Sequence, residues 1–104
     1  MNQEKLQKLQ FLEQNLQAFY MQRQAFDLEL SETKTTISEI EKTKEPVYKL
    51  IGQLLIKVDS KKILDEMKNK EKLLELRLKT LLEQQNQFEE QAKKLRQELT
   101  NSQK

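Results

Sequence analysis

Few side chains in this sequence are capable of catalysis. The 104 residues contain no His and no Cys, which removes the commonest general base, the commonest metal ligand and every thiolate site. We predict that the adjacent carboxylates at 65–66 and 89–90 are solvated helix faces, because neighbouring helical residues do not converge on one ligand. A single Gly cannot build a Gly-rich phosphate loop. The sequence therefore predicts no enzyme, no catalytic or metal site and no cofactor.

The composition favours long helices over a large globular core. Hydrophobic residues make up 36% of the chain, charged residues make up 35%, and the mean hydropathy is −0.89. An ordinary globular domain is about half apolar and about a quarter charged. Gly and Pro occur once each, so few residues are available for loops. We expect a mainly α protein, and a coiled coil above all.

Neither charge nor hydropathy indicates a nucleic acid or a membrane as partner. The net charge is +2 and the pI is about 8.8, which gives only weak attraction to polyanions. No uninterrupted apolar run approaches the ~18 residues of a membrane span. The polar start Met1–Lys5 lacks the features of a signal peptide. The expectation is a soluble cytoplasmic protein that binds neither nucleic acid nor membrane.

Apolar residues recur at alternating spacings of three and four along two segments, residues 9–40 and residues 64–99. Sustained over several heptads, this spacing is typical of a coiled-coil seam. It predicts one helix over residues 1–45 and a second over residues 59–104. A short connection between them would fold the two helices back into an antiparallel hairpin.

Antiparallel pairing assigns partners across the seam. It places Leu30 opposite Leu74, and it puts the polar seam residues Thr33 and Glu71 in one layer. A matched polar layer supports this alignment, since such layers fix register. Arg23 also falls on the seam, where it is either a specificity element or a side chain whose stem carries the charge outward. The aromatic seam residues are assigned to the core: Phe19, Phe26 and Phe88.

In the segment between the helices, residues 46–58, the spacing of apolar residues no longer follows the heptad pattern. This segment is predicted to form a β-hairpin. Pro46 ends the first helix, because its ring disfavours helical geometry at the residue before it. Gly52-Gln53 suits a two-residue type II′ turn with a positive φ at the glycine. In that register Val47 faces Val58, and Asp59 or Ser60 caps the second helix. The residues predicted to form the oligomerisation hairpin are Val47, Tyr48, Leu50, Ile51, Gly52, Leu54, Leu55, Ile56 and Val58.

This hairpin is apolar on both faces, and an isolated two-stranded hairpin is marginally stable in water. One coiled coil can cover one face at most, and both strand edges would keep unpaired backbone groups. The most economical solution is pairing with hairpins of other chains in a sheet or barrel. We therefore predict an obligate oligomer joined through an intersubunit β-structure.

The chain ends predict a second apolar surface. The ends of the coil have no partner and are expected to fray, exposing apolar side chains that can bind apolar surfaces without shape specificity. Phe11 lies off the seam, whereas the tip leucines, such as Leu9, Leu12 and Leu95, could simply complete the coiled coil. The predicted tip residues are Leu6, Leu9, Phe11, Leu12, Ala92, Leu95 and Leu99.

Two stretches carry a family resemblance. Residues 47–57, VYKLIGQLLIK, and residues 74–81, LELRLKTL, resemble the hairpin and the following helix of beta-type prefoldin subunits. The resemblance spans the chain as one prefoldin beta-like domain, 1–104, and is specific over about residues 46–82. Leu82 departs from the acidic residue usual after KTL. The pattern is similar both to archaeal beta subunits and to eukaryotic prefoldin subunit six.

The resemblance implies a hetero-hexamer of two alpha-type and four beta-type subunits, whose hairpins form a double β-barrel carrying coiled-coil tentacles. It implies an ATP-independent chaperone that holds unfolded client proteins and delivers them to a group II chaperonin. Two other classes stay open: a passive coiled-coil scaffold without client binding, and, as the weakest, a DNA-binding coiled coil. The last has only three Arg for base contacts and no basic region before a heptad run.

Overall fold

The computed structural model describes residues 2–102. The elements follow in the order α1 (Asn2–Lys42), β1 (Val47–Ile51), β2 (Leu54–Val58) and α2 (Ser60–Ser102). Two long helices with a short antiparallel β-hairpin between them confirm the predicted fold class. Within residues 2–102, no helix combines the length and the apolarity needed to cross a membrane.

The two helix ends next to the hairpin have specific hydrogen bonds. α1 ends at Lys42, before the expected residue 45: the Thr43 amide still donates to the Glu39 carbonyl, and the Glu45 amide then turns to the Thr43 hydroxyl at 3.2 Å. At the start of α2, Asp59 Oδ1 accepts a 3.2 Å bond from the Lys61 amide. Asp59 is therefore the capping residue.

The hairpin has the predicted register. Val47 pairs with Val58, and Ile51 pairs with Leu54 beside the turn. Gly52 has a φ of 61°, and no other described residue has a positive φ. This combination agrees with the type II′ turn, in which only the first turn residue needs the left-handed region.

The chain divides into two compact units. The first comprises the described residues up to Phe26 and from Arg77 onward, and the second comprises Asp27–Leu76. In the first unit, contacts join early residues of α1 to late residues of α2, as in Lys5–Glu98 and Tyr20–Glu89. The helices of this unit are therefore antiparallel, as predicted. Its core cluster consists of Leu9, Leu12, Leu16 and Ala92, with Phe19, Phe88, Leu95 and Leu99 packed against it.

The second unit contains the hairpin and the helical segments that flank it. Its buried residues include Thr33, Ile37, Ile63 and Leu74. The Thr33 hydroxyl donates to the Glu29 carbonyl at 2.8 Å, so its hydrogen bond is made within its own helix rather than across the predicted layer. Ile63 lies off the predicted seam and is nevertheless buried, which broadens the core of this unit.

Candidate interaction surfaces

The hairpin presents its apolar side chains to solvent. Leu55 is 70% exposed and Leu54 is 68% exposed, although they point to opposite faces of the two-stranded sheet. The flanking helices cover neither face of the hairpin, within the predicted limit of one face at most, and burial is confined to the base, where Val47 and Val58 are half-buried. The predicted members that are exposed are Tyr48, Leu50, Ile51, Gly52, Leu54, Leu55 and Ile56.

The backbone of the hairpin adds to this exposure. Its sheet contains β1 and β2 alone among the described residues, so each strand has one edge without a β partner. Such edges are templates for pairing with another chain. Burying one large apolar side chain completely contributes about 1.5–3 kcal/mol. Association through these faces and edges can therefore offset a substantial cost of assembly.

The predicted tip residues fall into three groups. Leu6 and Phe11 are exposed, by 47% and 61%. Leu95 and Leu99 are half-buried. The last group is buried in the core cluster, contrary to the expected exposure at frayed ends, because α1 and α2 stay helical there and pack these side chains across the seam. Its members are Leu9, Leu12 and Ala92.

An aromatic pair continues the apolar cluster of the first unit. The rings of Phe19 and Phe88 meet edge to face, with 5.1 Å between their centroids. This geometry sets the positive edge of one ring against the negative face of the other and contributes about 0.5–1.5 kcal/mol beyond area burial. Both side chains are half-buried, which agrees with their assignment to the seam.

A polar network beside this pair was not predicted from the sequence. Glu89, predicted to lie on a solvated face, is instead half-buried. Its Oε1 accepts a 2.9 Å bond from the Tyr20 hydroxyl and a 3.1 Å bond from Gln85 Nε2. The hydrogen bond to Glu89 is the main cause that raises the pKa of Tyr20 above its ordinary value, followed by desolvation and the carboxylate charge. Asp65, Glu66 and Glu90 are exposed, as expected.

Ion pairs line the flanks of both units. In the first unit Lys5 Nζ lies 3.3 Å from Glu98 Oε2, and Arg96 Nη2 lies 3.3 Å from Glu13 Oε1. In the second unit Lys70 Nζ lies 3.2 Å from Glu29 Oε1. Exposed pairs of this kind contribute only about 0–1 kcal/mol each. Within each unit they favour one alignment of the two helices but add little to the free energy of folding.

No set of three acidic side chains among residues 2–102 is arranged to bind a metal ion. Arg23, the charged seam residue, has an exposed side chain, which agrees with the stem carrying its charge outward. Other exposed apolar side chains occupy the outer helix faces, where the heptad pattern makes no demand. They are Met21 and Leu28 of α1, and Leu73 and Leu76 of α2.

Comparison with known proteins gives one consistent result. A family model described as prefoldin subunit matches residues 3–104. The prefoldin beta subunits of Thermococcus onnurineus and Thermoplasma volcanium are 40% and 41% identical to this chain over 96 residues. These matches cover 90% and 89% of this chain, and 83% and 77% of the two relatives.

A solved structure gives the same result. The chain is similar to the crystal structure of the prefoldin beta subunit from Thermococcus strain KS-1, with a TM-score of 0.88 and 34% sequence identity. The match covers 97% of this chain and 90% of that chain. The arrangement of helix, hairpin and helix is therefore common to both.

Proposed function

Because this chain belongs to the prefoldin subunit family, with beta-type subunits as its relatives, we propose that it is a holdase subunit of an ATP-independent chaperone. Its tip residues bind non-native proteins, and the complex passes them to a group II chaperonin. The observation that carries client binding is the exposure of Leu6 and Phe11 beside a packed core. Apolar side chains in this position bind other apolar surfaces through area removed from water.

The assembly part of the proposal rests on the hairpin. Its faces and edges join hairpins of alpha-type and further beta-type subunits in a hetero-hexamer of two alpha and four beta chains. The exposure of Leu54 and Leu55 on opposite faces supports this, because one neighbouring chain can cover one face only. Several copies then act on one client, and their effective concentration raises a weak affinity per site. We place the complex in the cytoplasm.

A passive scaffold is the second candidate, and one observation favours it. Leu9, Leu12 and Ala92 are buried, so most of the seam at the chain ends is occupied within the chain itself. A client role for these three residues requires the tip to open. A scaffold would assemble through the hairpin and would not suppress aggregation of unrelated proteins.

Light scattering distinguishes the holdase from the scaffold. It follows the aggregation of a chemically denatured protein in the presence of the assembled complex. The test variant is Leu6→Ser with Phe11→Ser. The matched control is Met21→Ser with Leu28→Ser, which removes two exposed apolar side chains from the same helix. Holdase activity predicts that the first variant loses most of its protection while the second keeps it. Absence of protection by the unaltered complex would instead support the scaffold.

A further inference from the structure

A shallow groove in the first unit brings one leucine side chain and two lysines together. Its volume is about 350 Å³, and it is lined by Lys8, Gln91, Lys94, Leu95 and Glu98. Leu95 is half-buried, while Lys8 and Lys94 are exposed. A peptide lying in this groove would therefore contact a leucine side chain and two ammonium groups together.

The one acidic residue of the groove is already paired. Glu98 Oε2 lies 3.3 Å from Lys5 Nζ, outside the groove lining. Among the described residues, neither Lys8 nor Lys94 has an acidic partner within ion-pair distance. Their two charges stay available to a ligand, and a carboxylate is the group that complements an ammonium best.

The two sequence segments that contain most of the groove residues also carry a net positive charge. Residues 1–12 and 92–104 together contain six basic and two acidic residues, a net charge of +4. The intervening residues 13–91 contain thirteen basic and fifteen acidic residues, a net charge of −2. The two chain ends therefore carry more positive charge than the whole chain, whose net charge is +2.

We propose that the tip selects unfolded segments in which apolar residues alternate with acidic ones. This inference rests on the proposed client binding and specifies its substrate class. An apolar client side chain packs on Leu95, and neighbouring client carboxylates pair with Lys8 and Lys94. The attraction is screened over a Debye length of about 8 Å at physiological ionic strength, so the preference weakens as salt rises.

Three unstructured peptides test the preference. They share the same order of Leu and Phe residues, and the spacer between these residues is Glu in one peptide, Gln in the second and Lys in the third. Fluorescence anisotropy with the assembled complex should give about threefold to tenfold tighter binding of the Glu peptide than of the Lys peptide at low salt. At high salt the three affinities should converge.

Matched variants locate the effect. Lys8→Gln with Lys94→Gln should abolish the preference and retain binding of the Gln peptide. Lys68→Gln with Lys72→Gln removes the same charge from exposed positions in the second unit and should change nothing. Equal binding of all three peptides by the unaltered complex would overturn the charge preference alone, whereas no binding of any peptide would overturn client binding as well. Displacement of the Glu peptide by an equal concentration of single-stranded RNA would overturn the protein substrate class.

Discussion

The hydroxyl of Tyr20 in α1 donates a 2.9 Å hydrogen bond to Oε1 of Glu89 in α2. The same oxygen accepts a bond from Gln85 Nε2 on its own helix. Gln85 is buried, and its Oε1 has no hydrogen-bond partner among residues 2–102, which costs free energy. A shift of either helix by one turn would separate Tyr20 from Glu89. The network therefore favours one register of the first unit.

Tyr20→Phe should change how stability depends on high pH. The pKa of Tyr20 is raised above 10.0 in the folded chain, chiefly because its proton is held in the bond to Glu89. The folded state then binds this proton more tightly than the unfolded state does. The corresponding stabilisation is complete below about pH 10 and is lost as the pH rises through the raised pKa. Thermal melts followed by circular dichroism should show this loss in the parent complex and not in Tyr20→Phe.

Tyrosinate absorbance supplies the direct measurement of this pKa. Subtracting the titration of Tyr20→Phe from that of the parent isolates Tyr20 from Tyr48. A midpoint at the ordinary value for tyrosine, or melting curves that stay parallel in the two proteins as the pH rises, would contradict the hydrogen-bonded role of Tyr20.

Leu55→Asp should dissociate the oligomer and leave the helices formed. In the assembled state the new carboxylate would be buried without a partner, at a cost of several kcal/mol per site. Leu28→Asp is the matched control, because Leu28 is also exposed in the chain, 62% against 70% for Leu55, and lies outside the hairpin. Size-exclusion chromatography with light scattering measures the mass. Unchanged mass of the Leu55 variant would refute assembly through this face.

Gly52→Val should weaken the hairpin through backbone strain alone. A Cβ at this position would meet no heavy atom within 4 Å, so crowding is not the cause. The φ of 61° is instead a conformation that costs a β-branched residue about 1–3 kcal/mol. Gly52→Asn is the control, because Asn tolerates the left-handed region. The Val variant of the complex should melt below the Asn variant, and equal melting temperatures would show that the turn conformation does not limit stability.

The features set by local chemistry were predictable from the sequence. The register of the hairpin follows from Gly52, since a two-residue turn with one glycine leaves one way to pair Val47 with Val58. The network of Tyr20 and Glu89 was not predictable, because both flank the seam and their meeting depends on the alignment of two helices. The exposure of both hairpin faces beyond Val47 and Val58 was not predictable either, since the pattern shows which faces are apolar but not how far the strands lie from the helices.

The tip residues also divide into features that the sequence predicts and features that it does not. Heptad spacing placed Leu9, Leu12 and Leu95 on the seam, and the structure packs them there to different depths. Whether such residues also bind clients depends on how often the ends of the helices separate. That quantity is a free-energy difference between packed and open states, which neither the spacing of apolar residues nor one conformation contains.

Removing residues 1–12 and 92–104 should preserve assembly and sharply reduce protection of a denatured client. The hairpin lies outside the deleted segments, so the shortened chain should still join its partner subunits. Comparison with the double variant Leu6→Ser and Phe11→Ser separates two mechanisms of binding. If only the exposed Leu6 and Phe11 bind clients, the two proteins lose equal protection. If the groove residues or the buried Leu9 and Leu12 also contribute, the truncated complex loses more, because it lacks them as well. Full protection by a truncated complex of normal mass would place the client site elsewhere in the assembly.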